Sequence, residues 1–218
     1  VEDNPEMASF ITNSLQSEYS VDSALNGADA LVLLEANSYD IIISDIMMPG
    51  IDGIPFTKKL KSDISYSHIP VILLSAKTEN AVKIEGLLSG ADVFIEKPFS
   101  ISYLKAQILS LLENRKTILE AFNRSPLASY SNLVSNKNDE LFLNKLNDEI
   151  EKHISDENFS VESLTDILNI SRSNLQRKLK TISGVTPGDY LRNYRLKKAC
   201  KLLLETDMRV NEVAYSVG

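Results

Sequence analysis

Asp45 ends the apolar, β-branched run Ile41-Ile42-Ile43-Ser44, and the turn Pro49-Gly50 follows closely. Such a run reads as a buried strand that delivers one carboxylate to the mouth of a sheet. An acid in that place can act as a nucleophile or ligate a metal. Glu2 and Asp3 end another strand-like segment, Ser75 ends Val71-Ile72-Leu73-Leu74, and Lys97 ends Phe94-Ile95-Glu96. In a doubly wound sheet, the carboxyl ends of adjacent strands form one ligand crevice. Three carboxylates crowded there repel one another unless a cation neutralises them. Hard oxygen donors around an open position suit Mg²⁺. A hydroxyl and an ammonium beside them suit a phosphoryl group.

The elements that must position these groups alternate. Helical spacing over 4–15 is followed by a strand-like 19–25, a helical 28–36 and the strand 40–45. Then come a helix over 54–60, a strand over 69–75, a helix over 78–88, a strand over 92–96 and a helix from 101 to about 122. The pattern is that of βα units wound into a parallel sheet. Polar, turn-rich residues break it at 123–126 and 129–139. This divides the chain into a first domain over 1–120, a linker over 121–140 and a helical domain over 141–218.

From 141 onward only helices are predicted: 141–154, 161–168, 172–182, 187–204 and 210–217. Thr186-Pro187 has the form of an N-cap with proline at the first helical position. The formal net charge of −7 speaks against nucleic acid, but the distribution does not. Between Ser171 and Lys201 stand Arg172, Arg177, Lys178, Lys180, Arg192, Arg195, Lys197, Lys198 and Lys201, against Asp189 alone. The segment 161–179 has helix-turn-helix form, with Leu164, Ile167, Leu168, Leu175 and Leu179 inward. That leaves Arg172, Ser173, Asn174, Gln176, Arg177 and Lys180 outward or near a helix start, residue types that read base edges and phosphates.

No apolar run approaches a membrane span, and no signal peptide is visible. The single cysteine, Cys200, excludes an internal disulfide and is expected to pack within a helix. Together these imply a cytoplasmic chain, whose parent could still be anchored in the inner membrane. His68 and His153 are isolated and expected to be structural or exposed, so a phosphodonor must come from elsewhere. Val1-Glu2-Asp3 reads as the tail of a strand whose body precedes it, and the chain as a fragment of a longer one.

Over about residues 1–120 the chain resembles the response-regulator receiver family, the CheY-like domains. The resemblance rests on Glu2-Asp3-Asn4, on Ser44-Asp45-Ile46-Met47-Met48-Pro49-Gly50-Ile51-Asp52-Gly53, on Ser75-Ala76-Lys77, and on Gly90 through Phe99. It implies a flavodoxin-like fold with five parallel strands, the first truncated, ahead of an all-α helix-turn-helix domain. It also implies that Asp45 accepts a phosphoryl group from a phosphohistidine. Asp3, Asp45 and the Met47 carbonyl would hold Mg²⁺, with Glu2 acting through water. Lys97 and Ser75 would hold the phosphoryl group, and Phe94 would be the aromatic that turns inward on activation. Lys97-Pro98 is a candidate cis bond. A competing family of phosphoaspartate phosphatases usually places a second aspartate two residues after the nucleophile. Here Met47 stands there, which makes a metal-dependent phosphatase a weak alternative.

Residues 181–199 and 210–218 resemble the AraC-type DNA-binding domain, in which a long helix joins two helix-turn-helix units. Gly218 falls at the turn of the second unit, whose recognition helix would lie beyond it. The order receiver, linker, AraC-type domain resembles the C-terminal part of hybrid two-component systems, whose kinase is fused upstream. The expectation is a transcription factor that dimerises on phosphorylation and is itself no enzyme. Its partners would be a histidine kinase and DNA. The alternative is a phosphate sink or docking receiver whose helical domain binds protein.

Overall fold

The protein is described by a computed structural model over residues 1–76, 80–124 and 137–218, with side chains described at 1–76, 82–114 and 138–218. The chain divides into two compact units, Val1–Arg115 and Lys116–Gly218.

In the first unit three parallel strands, β1 (Ile42–Asp45), β2 (Val71–Ser75) and β3 (Val93–Glu96), pair in the order β1-β2-β3. Their side chains alternate between two apolar layers, as a pleated strand requires. Ile42, Val71 and Leu73 join Ala30 and Leu34 of α2 (Gly27–Ala36) and Phe56 and Leu60 of α3 (Gly53–Ser62). Ile72, Leu74 and Ile95 join Ile11 and Leu15 of α1 (Pro5–Leu15) and Leu104 and Ile108 of α5 (Ile101–Arg124). Phe56, Val71, Ile72, Leu73 and Leu104 are entirely buried. Each such aliphatic or aromatic side chain contributes roughly 1.5–3 kcal/mol. Asn4 caps α1 through Glu6 N and Met7 N, with Pro5 opening the helix. α4 (Asn80–Leu88) precedes β3.

Of the five strands expected, three are seen among the described residues. Val1 and Glu2 bridge the gap instead. Asp45 N donates to Val1 O, Val1 N to Ile43 O and Glu2 N to Ala24 O, at 2.9, 2.6 and 3.0 Å. Residues 19–25, expected as a strand, are extended or bent without being assigned to the sheet. The expected linker is divided: 121–124 belong to α5, 137–140 open α6 (Lys137–Lys152), and 125–136 fall outside the described residues.

The second unit is all helical: α6, α7 (Val161–Leu168), α8 (Arg172–Ser183), α9 (Pro187–Glu205) and α10 (Val210–Val217). Its core joins Phe142, Leu143, Leu146 and Ile150 of α6 to Leu164, Leu168, Leu175, Leu179, Tyr190 and Leu191. Asn169 turns the chain from α7 to α8 with φ of 51°, in the left-handed region that asparagine tolerates. Ser171 caps α8, and Thr186 caps α9 ahead of Pro187. Cys200 corrects one expectation: it is exposed on α9 rather than packed. Among the described residues no helix is long and apolar enough to cross a membrane.

Candidate functional site

β1 ends on Asp45 and β2 on Ser75, and their pairing sets Asp45 opposite Leu74. Both residues therefore finish at the carboxyl edge of the sheet, and both are buried. One Asp45 oxygen accepts from the Ile46 amide at 2.8 Å, and the other lies 2.9 Å from Lys97 Nζ. Lys97 leaves β3 in the next residue, and its amide donates to Ser75 O at 2.7 Å. The same Nζ lies 2.9 Å from Glu2 Oε2. Burial by itself lowers the Lys97 pKa, but the hydrogen bonds to Glu2 and Asp45 outweigh it and hold the ammonium above its ordinary value. The Lys97–Pro98 bond is cis, as its sequence suggested.

Glu2, Asp3 and Asp45 each offer a carboxylate oxygen, and these atoms lie within 4.8 Å of one another. Glu2 and Asp45 are buried while Asp3 is exposed, so the cluster opens to solvent on one side. Two of these carboxylates, those of Glu2 and Asp45, pair with the Lys97 ammonium, and the third adds further negative charge at short range. That donor set fits a hard divalent cation with open positions. Met47 lies in the loop two residues past Asp45, with its side chain half exposed. Phe94 is partly buried over the α3 face of the sheet, with Lys83 Nζ 5.9 Å from its ring centroid.

Gly53 carries a role that its place in the Asp45 motif did not reveal. A Cβ there would stand 2.1 Å from the Asp45 carbonyl oxygen, while Gly53 N donates to Ile46 O at 2.8 Å. α3 thus starts against the backbone of the acidic residue itself. Ser44 adds a second contact to that carbonyl, donating from Oγ at 2.9 Å.

In the second unit Arg172, Ser173, Gln176 and Lys180 are exposed, and Asn174 and Arg177 are half-buried. The basic surface is thinner than the sequence count suggests. Lys178 is buried beside Asp139, and Arg195 donates to the Asp156 carbonyl at 2.7 Å. Arg172 pairs with Glu162, Arg177 with Asn174, and Lys198 with Glu151. The position of Lys178 between Leu175 and Leu179 was the available signal that it faces inward.

Comparison with known proteins matches two separate stretches of the chain. A family model described as the response regulator receiver domain matches residues 1–109, and one described as a helix-turn-helix domain matches 164–218. Histidine kinase P4 of Formosa agariphila is 35% identical over all 218 residues, which are 16% of that protein. The phosphate regulon transcriptional regulatory protein PhoB of Rhizobium meliloti is 32% identical over 53% of this chain and 52% of its own. Among solved structures, the signal receiver domain of a signal transduction histidine kinase from Syntrophus aciditrophicus superposes with a TM-score of 0.50. It is 34% identical, over 52% of this chain and 86% of that one.

Proposed function

We propose, for a chain that belongs to the response regulator receiver family and carries a helix-turn-helix domain behind its receiver, that it is a phosphorylation-controlled transcription factor with Asp45 as the acceptor. The observation that carries this reading is the placement of Asp45, within 4.8 Å of two further carboxylates and 2.9 Å from Lys97.

The donor is a phosphohistidine, on a histidine kinase in trans or fused upstream. An Asp45 oxygen forms the new P–O bond as the donor P–N bond breaks, and the imidazole leaves. Lys97 Nζ already lies against Asp45 and can follow the negative charge onto the phosphoryl oxygens as a point charge. Ser75, at the end of the neighbouring strand, supplies the hydroxyl for one of those oxygens. Asp3, Asp45 and the Met47 carbonyl would hold Mg²⁺, with Glu2 acting through water. A bound Mg²⁺ supplies charge neutralisation for the incoming group. The aspartyl phosphate carries roughly −1.5 to −2 charges in place of the single charge of the Asp45 carboxylate, beside the two carboxylates of Glu2 and Asp3. Phe94 is the side chain that responds by turning inward. The output is DNA binding through Arg172, Ser173, Asn174, Gln176, Arg177 and Lys180 of α8, strengthened by dimerisation, which raises the effective concentration of a second reading unit. The assignment of receiver to 1–120, linker to 121–140 and DNA-binding domain to 141–218 follows this reading.

Asp45→Asn should abolish acid-stable, hydroxylamine-labile labelling by a phosphohistidine donor in the presence of Mg²⁺. Labelling that persists in this variant would remove Asp45 from its role. The phosphate-sink alternative is separated by salt. Phosphate contacts make DNA affinity fall steeply as salt rises, whereas a protein-binding helical domain shows no DNA affinity at low salt.

A further inference from the structure

Phe94 of β3 pairs with Leu73 of β2, and both side chains stand on the face of the sheet that α4 covers. Gly86 of α4 lies directly against them. A Cβ at that position would stand 3.2 Å from Leu73 Cδ1 and 3.3 and 3.4 Å from Phe94 Cδ2 and Cε2. Those distances are shorter than carbon atoms ordinarily keep. A glycine within a helix is less favourable than an alanine, so α4 forgoes helix stability where it meets this ring. One turn earlier in α4, Lys83 sets its Nζ 5.9 Å from the Phe94 ring centroid. The same Nζ lies 3.5 Å from Glu96 Oε1. Glu96 is two residues beyond Phe94 and therefore on the same face of β3. It keeps the ammonium beside the ring. Ser75 stands opposite Glu96, so the hydroxyl proposed to bind the phosphoryl group is one pleat away from the Leu73–Phe94 pair.

We propose that Gly86 and Lys83 are positioning residues for the Phe94 switch. The missing side chain at 86 leaves room for the ring in the placement seen, and the Lys83 ammonium favours that placement over its alternative. This rests on the reading of Phe94 given above. The neighbours of Gly86 differ in what can yield to an added methyl. Leu73 is entirely buried within its apolar layer, whereas Phe94 is only partly buried. The ring is therefore the group that gives way. The attraction between ammonium and ring is lost on any turn that takes the ring face from Lys83. The Lys83–Glu96 pair involves no atom of the ring and holds the ammonium in either case. Both residues thus bias one equilibrium in the same direction.

The test is NMR of this chain carrying ring-labelled phenylalanine, with the Phe94 signals assigned by their loss in Phe94→Leu. An NOE from the ring to the Hα of residue 86 marks the placement seen. In the wild type, beryllofluoride with Mg²⁺, a mimic of aspartyl phosphate, should shift the Phe94 signals. Gly86→Ala should weaken the NOE and lower the population of this placement several-fold. Lys83→Met, which keeps the stem and removes the charge, should lower it about twofold, the lower value for an exposed cation–π contact. This second variant alters a half-exposed side chain, and it decides the matter if Gly86→Ala does not fold. A population unchanged in either folded variant overturns the proposal, since α4 would then shift in place of the ring or the ammonium would hold nothing. A rise in Lys83→Met overturns it as well. Wild-type Phe94 signals that ignore the mimic refute the switch reading of Phe94 itself, before any variant is compared.

Discussion

Lys178 Nζ lies 2.6 Å from Asp139 Oδ1, with the two side chains 0% and 6% exposed. The ammonium also stands 4.9 Å from the Phe142 ring centroid. The pair ties the first turn of α6 to the inward face of α8, on the opposite side from the candidate base-reading residues. A buried ion pair gains little over an apolar pair of equal volume, because desolvating both charges offsets their attraction. Removing one partner is different, since the other is left charged and dry. Lys178→Met should destabilise the helical unit by about 3–5 kcal/mol, the range for breaking a buried pair. Adding Asp139→Leu should recover most of the loss. A urea-unfolding double-mutant cycle measures this, and purely additive losses would contradict it.

Gly53 is the tightest backbone contact at the acidic site. Gly53→Ala drives a methyl into the Asp45 carbonyl, so α3 and the end of β1 must separate. The cost should be about 3 kcal/mol, the upper end for overpacking. The rate of Asp45 phosphorylation should fall with it. Denaturant midpoints and phosphorylation time courses report the two effects. A variant with wild-type values in both would show that α3 can slide away without disturbing Asp45.

Divalent cation should stabilise the receiver without any phosphodonor. Mg²⁺ at 100 times its dissociation constant adds about 2.7 kcal/mol if it binds the folded state alone. Asp3→Asn, which changes an exposed side chain, should leave the metal-free melting temperature nearly unchanged and remove most of the Mg²⁺ increment. Thermal melts with and without Mg²⁺ decide this. An intact increment in Asp3→Asn would exclude Asp3 as a ligand.

Burial pushes the Lys197 ammonium down to about 8 from an ordinary value of 10.5. The unfolded chain keeps that proton to higher pH than the folded chain, so folding releases it between about pH 8 and 10.5. Stability from this group therefore rises with pH across that window and is lowest below it. Lys197→Met should raise the unfolding midpoint at pH 7, and the gap to wild type should close above about pH 10.5. A gap that stays constant with pH would trace the effect to packing alone.

Much of the candidate site was legible in residue order. A strand can deliver a side chain only at its end, and Asp45, Ser75 and Lys97 each stand at or just past the end of an apolar run. The cap at Thr186 was equally local, because a cap bonds to amides two or three residues away. The helical division of the second unit followed from apolar spacing for the same reason.

The sequence by itself determined which side chains could share one edge of a parallel sheet and where the helices of the second unit begin. Those are properties of nearest neighbours along the chain, fixed by period and capping. Tertiary structure alone decided the pairings that bridge distant segments. Lys97 reaches Glu2 across 95 positions, Lys178 reaches Asp139 across 39, and Arg172 is held by Glu162 rather than standing open. Charge counted along the chain overstated the basic surface because a side chain's charge is set by its sequence, but its availability is set by what packs against it.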